Sequence, residues 1–108
     1  MTAADSPRIE ISRMEQVCWV VRDLERSMES MWQRLGVGHW DVYVSPPSFF
    51  QDVVYRGQKG SFGMDCARTK LGKMDLELIQ PTEGQSPFSD FLKDHGEGIH
   101  HFGWMVVP

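Results

Sequence analysis

Cysteine is scarce in this chain. Only Cys18 and Cys66 occur in 108 residues, too few and too far apart in sequence for a disulfide framework or a thiolate metal site, so both are expected as buried free thiols. An excess of basic residues is missing too. With 11 Lys and Arg against 15 Asp and Glu, the net charge is −4, which leaves no positive stripe to neutralise phosphates and argues against nucleic acid or a membrane surface as partner. No apolar run approaches the roughly 18 residues needed to span a bilayer. Met1 to Ile11 lacks the apolar core of a signal peptide, so the cytoplasm is the expected location. What remains is ordinary globular composition, 41% hydrophobic and 24% charged, in a length that fits one domain with a modest core.

What is present is an internal echo. Gln16-Val17-Cys18-Trp19-Val20-Val21 matches His101-Phe102-Gly103-Trp104-Met105-Val106, each run headed by a metal-capable polar side chain with Trp three places on. Alternation along a strand puts Gln16, Cys18 and Val20 on one face and Val17, Trp19 and Val21 on the other. In the later run His101, Gly103 and Met105 oppose Phe102, Trp104 and Val106. The bulky face calls for a covering helix, while the face of Gln16 and His101 should line something less crowded. Such an echo implies a duplicated module whose second copy reaches only its first strand before Pro108.

Taken in order, 1–11 reads as a flexible leader, 12–81 as the first module, and 82–108 as a linker helix and the first strand of an incomplete second module. A strand over about Arg13 to Arg22 leads to Asp23, an N-cap for a helix with Leu24, Met28, Met31, Trp32 and Leu35 on one face. Gly36 is the expected C-cap. Gly38 to Val44 reads as a second strand, broken by Pro46 and Pro47. Phe49 to Gly60 fits a loop or short helix over a cleft. Ser61 to Lys70 and Lys73 to Gln80 form a hairpin turning at Leu71-Gly72. Within it Glu77 is a carboxylate in an apolar strand and needs a partner. Ser86 caps a short helix from Pro87 to about Asp94. The order is βαβββ, then helix and strand, an α+β class with a curled sheet.

The βαβββ order, Asp23-Leu24-Glu25, Glu77-Leu78-Ile79-Gln80-Pro81, Ser86-Pro87-Phe88 with Phe91-Leu92, and Gly96-Glu97-Gly98-Ile99-His100-His101 together resemble the vicinal oxygen chelate (glyoxalase/bleomycin resistance/dioxygenase) superfamily. The nearest likeness within it is to the methylmalonyl-CoA epimerases and glyoxalase I enzymes. The resemblance implies two βαβββ modules around a cleft with one divalent metal. It also implies that Gln16, Glu77 and His101 stand at ligand positions, with no counterpart here for the fourth ligand, a glutamate of the last strand. The epimerases usually carry His where this chain has Gln16, and some glyoxalases carry Gln. Asp65 is the nearest match to the carboxylate that moves the substrate proton in the epimerase-like relatives, where it is usually a glutamate.

An amide, a carboxylate and an imidazole suit six-coordinate divalent metals with open positions, here cobalt, nickel, manganese, iron or zinc. Such a metal would hold two neighbouring substrate oxygens and spread the charge formed when a proton leaves carbon next to a carbonyl. The expected function is therefore a metal-dependent lyase or isomerase acting on a small acyl or thiol-adduct substrate. A drug-sequestering binding protein of the same fold and a purely structural module are the rivals. An extradiol dioxygenase fits poorly, because those enzymes use two histidines and one carboxylate on larger chains. Each ligand also has a plain structural reading: Glu77 paired with Arg68 or Lys70, Gln16 as a hydrogen-bonded strand residue, His101 as a satisfied core histidine, Asp65 as a surface carboxylate. His100, one step from His101, belongs to the opposite face. A final strand with open edges calls for a homodimer, with strand exchange as one route, or else for a natural C-terminus that runs on past Pro108.

Overall fold

The computed structural model describes residues 6 and 8–107; the rest of the expected leader lies outside the described residues. The chain runs β1 (Glu10–Val20), α1 (Leu24–Leu35), β2 (Asp41–Ser45), a 3-10 turn at Pro47–Phe49, β3 (Val54–Tyr55), β4 (Gln58–Lys59), β5 (Met64–Leu71), β6 (Met74–Pro81), α2 (Pro87–His95) and β7 (Gly98–Val107). The first strand thus starts two residues before the first module's expected boundary at residue 12. Five strands form one mixed sheet in the order β2-β5-β6-β1-β7, in which β1 runs parallel to β6 and antiparallel to β7. This is the α+β architecture expected. The final strand is not alone, since β1 pairs along one of its sides.

Local chemistry sets the helix ends. The Asp23 carboxylate accepts from the Arg26 N–H at 3.0 Å, satisfying a donor that the first turn leaves unpaired. Gly36 closes α1 at φ 67° with its N–H turned back to the Met31 and Trp32 carbonyls, a left-handed conformation that glycine adopts without a steric penalty. In α2 the Ser86 hydroxyl accepts from the Ser89 N–H at 3.1 Å, and the Ser86 N–H donates to Ser89 Oγ at 2.8 Å. That reciprocal cap uses Ser where Glu or Gln is usual.

Burial divides by sheet face. On the α1 side Val21, Leu24, Ala67 and Leu78 are buried, with Trp19, Met28, Met31 and Trp40 against them. On the other side Cys18, Cys66 and Ile79 are buried beneath Met64 and Phe88. Leu78 and Ile79, almost wholly buried, each contribute about 1.5–3 kcal/mol of apolar burial. The expected helix stripe is shorter than its sequence pattern: Trp32 and Leu35 stay 49% and 73% exposed, and Trp32 stacks on His39 instead.

Two features differ from the sequence reading. Phe49 to Gly60 holds a miniature hairpin, β3 with β4, turned by Arg56 and Gly57 at φ 55° and 77°. Two positive φ values in a two-residue loop match the right-handed twist of the flanking strands. The second difference is a β-bulge in β7. Cys18 pairs with His101, but Trp19 pairs with Ile99, so His100 is an extra residue on β7.

Candidate metal centre

Register builds the site. Cys18 on β1 is opposite Glu77 on β6 and opposite His101 on β7, so three side chains stand in a row across three adjacent strands. Their thiol sulfur, a carboxylate oxygen and an imidazole nitrogen all lie within 4.8 Å of one another. Cys18 is fully buried and Glu77 nearly so, while His101 is half-buried. The row occupies the face away from α1, floored by Cys66 and Ile79.

A buried carboxylate needs compensation. Arg68, opposite Glu77 on β5, donates Nη2 to Oε2 of Glu77 at 2.6 Å. Lys70 pairs instead with Asp75, at 2.9 Å. Burial first, and the Glu77 charge second, push the Cys18 thiol well above its ordinary pKa, so the free protein holds it protonated. The same two causes push the Cys66 thiol up to about 11. Both cysteines are free and buried, as expected.

The bulge corrects the expected placement of His100. An extra residue breaks the alternation of faces, and His100 Nδ1 comes 3.0 Å from His101 Nδ1. Its ring packs 5.0 Å from Phe88 and 5.1 Å from Phe91. Burial, then the neighbouring His101, lowers its pKa, opposed by a hydrogen bond to the Pro87 backbone. The contact joins the two Nδ1 atoms, so it leaves Nε2 of His101 as the ring nitrogen free for a ligand.

Of the residues singled out from sequence, Glu77 and His101 come together and Gln16 stands alongside. Gln16 shares their face, opposite Asp75 and Gly103. Its amide lies over Gly103, where a Cβ would meet Gln16 Cβ and Oε1 at 3.1 Å. From there it is diagonal to both Glu77 and His101, a separation that long side chains bridge. Asp65 does not join them. It neighbours Ala67 and is paired with Gln80 on the α1 side, where it lines a 380 Å³ cleft with Asp23, Glu25 and Val42. The sheet separates it from Glu77. Cys18 and His100 were missed as site residues: the shared face of Cys18 with Gln16 was readable, but its cross-strand partners and the bulge were not.

A curled mixed sheet with nitrogen, oxygen and sulfur donors gathered on the face away from α1 defines a metal-capable α+β module. Residues 15–107 match the sequence profile of the Glyoxalase/Bleomycin resistance protein/Dioxygenase superfamily, and the chain belongs to that family. No curated protein matches it. Solved structures share the fold. A variant methylmalonyl-CoA epimerase of Streptomyces coelicolor in complex with 2-nitronate-propionyl-CoA is 22% identical, with a TM-score of 0.53 over 88% of this chain and 62% of that one. The methylmalonyl-CoA epimerase of Mycobacterium tuberculosis is 18% identical, with a TM-score of 0.55 over 87% of this chain and 55% of that one. The chain therefore spans about three fifths of the length of the structures it matches. Among the described residues no helix is long and apolar enough to cross a membrane.

The donor set fits a divalent cation. Glu77 and His101 are borderline-to-hard ligands whose donor atoms lie within 4.8 Å of each other, and the Arg68 hydrogen bond engages Oε2 of Glu77.

Proposed function

We propose that this chain carries a divalent-metal site of the epimerase or glyoxalase kind, used to remove a proton next to a carbonyl of a small acyl or thiol-adduct substrate. The observation that carries this reading is the convergence of Glu77 and His101, 24 positions apart in sequence, on one buried point beside β1. Glu77, His101 and Gln16 would hold the ion, which when bound supplies a Lewis acid for two neighbouring substrate oxygens. Cobalt, nickel, manganese, iron and zinc all suit a carboxylate, an imidazole and an amide.

The chain's own residues have defined parts in this reading. His100 orients His101 through the 3.0 Å contact between their Nδ1 atoms. Phe88, with Phe62 at 6.4 Å and Phe50 stacked on Phe62 at 4.8 Å, makes an apolar wall beside the two histidines. That wall keeps water from the carbon that loses its proton and favours an apolar acyl portion. Asp65, across the sheet from this point, has no part in this reading. A cytoplasmic location and a homodimeric state complete the proposal.

A second reading has one observation in its favour. Arg68 already neutralises Glu77, as it would in a metal-free protein that binds a planar or hydrophobic molecule against the Phe50, Phe62 and Phe88 wall. Metal analysis of the purified chain separates the two. Stoichiometric metal that is lost in both Glu77→Ala and His101→Ala supports the enzyme; metal retained in both variants removes the site. A metal-free chain that still binds a flat aromatic probe establishes the second reading.

A further inference from the structure

The ligand set implied by the family leaves out the residue at the middle of this site. Cys18 is on the central strand of the three, directly opposite both Glu77 and His101. Gln16, by contrast, is one step along the same strand with its amide over Gly103. The cysteine is fully buried, and its sulfur is inside the 4.8 Å group. In the metal-free protein the thiol is a hydrogen-bond partner of Glu77, and the rest of its surroundings, Cys66 and Ile79, are apolar.

We propose that Cys18 is a metal ligand, giving a sulfur, oxygen and nitrogen donor set with Glu77 and His101 that selects zinc or cobalt over manganese and magnesium. This rests on the reading of the site as a metal centre. Metal–ligand lengths of about 2.0–2.3 Å put tetrahedral donors roughly 3.5 Å apart. Closing from at most 4.8 Å asks for a shift of about an ångström. Binding breaks the S–H bond and forms a sulfur–metal bond, and the proton leaves to solvent with no change of oxidation state. Glu77 exchanges part of its pairing with Arg68 for the cation. The Arg68 side chain is 46% exposed and has water to turn into. The thiolate contributes the negative charge that an amide at position 16 lacks, and softer donors favour zinc and cobalt over the oxygen-seeking metals. The coordination positions left by the protein donors would remain for water and the substrate oxygens.

The test uses the full chain, freed of metal and titrated with cobalt(II) chloride. Thiolate ligation gives an intense near-ultraviolet sulfur-to-cobalt charge-transfer band, which Cys18→Ser abolishes while Cys66→Ser leaves it. Where Cys18→Ser does not fold, X-ray absorption of the zinc-loaded unsubstituted chain gives the same information, as a sulfur at about 2.3 Å from the metal. Cobalt bound without the band, or a band that survives Cys18→Ser, overturns the thiolate ligand and leaves the Glu77 and His101 centre standing. A chain that takes up no cobalt overturns both.

Discussion

At the residue scale the site turns on a competition for Glu77. The residue is 8% exposed and its carboxylate holds Arg68 at 2.6 Å, so an incoming cation meets a guanidinium already in place. Arg68→Met keeps most of the apolar stem and removes the charge. Leaving the buried acceptor unpaired costs about 1–3 kcal/mol in the metal-free protein, visible as a lower unfolding midpoint. The same change removes a repulsive charge beside the ligand, so zinc affinity should rise, and zinc should restore more of the midpoint in the variant than in the parent. Stability and zinc affinity falling together would mean that Arg68 supports the fold and does not compete at Glu77. How far these residues could be read from sequence follows from the physics of strands. Alternation depends on one strand alone, so Gln16 and Cys18 on one face were legible. Which residue stands opposite Cys18 depends on register between strands distant in sequence, which no local pattern encodes. The side chain of His100 was misplaced for the same reason: a bulge needs a partner strand to be defined against.

At the element scale the long segments were readable and the short ones were not. α1 and α2 announce themselves through Asp23, Ser86 and Gly36, each of which satisfies a specific unpaired backbone group at a helix end. The β3–β4 hairpin has two-residue strands, too short for any periodicity, and only the Arg56-Gly57 turn signals it. What secures it is a tertiary contact. Tyr55 donates its hydroxyl to Asp90 on α2 at 2.6 Å, and Arg56 approaches the same carboxylate at 3.3 Å. The Tyr55 hydrogen bond, helped by Gln85 and Arg56 and opposed by burial, holds the Asp90 carboxyl below its ordinary pKa. A carboxyl lowered in the folded state stabilises fully above its unfolded value and ceases to do so as pH falls through the lowered one. Protease cleavage between Val54 and Lys59 should therefore be slow near neutral pH and accelerate in acid, below the usual carboxylate range. Asp90→Asn should cleave faster at neutral pH and lose most of that acid dependence. An Asp90→Asn hairpin as resistant as the parent's would show that the aromatic packing of Phe50 on Phe62 secures this region by itself.

At the scale of the whole molecule the described sheet has an open edge at β7. Among the described residues β7 is hydrogen-bonded to β1 and to no other strand, so a row of backbone donors and acceptors faces outward. Phe102, Trp104 and Val106 alternate along it on the face opposite His101 and remain 45%, 50% and 43% exposed. Ile11 on the neighbouring strand adds a further apolar side chain at 52% exposure. An open edge beside contiguous apolar surface is a template for another strand. A second copy of the chain offers the same edge, and antiparallel pairing of β7 with its twin satisfies both by a two-fold axis. Light scattering should then give twice the 12.4 kDa chain mass. Trp104→Lys, which places a charge on the apolar row without touching Glu77 or His101, should shift the chain toward monomer with its circular dichroism unchanged. Metal binding distinguishes what the pairing is for. The ligand row spans β6, β1 and β7, and pairing fixes the outermost of these strands, so a monomeric Trp104→Lys chain should bind zinc more weakly than the dimer. Equal affinity in the two states would separate the site from the assembly, and a parent chain that stays monomeric at high concentration would remove the pairing altogether.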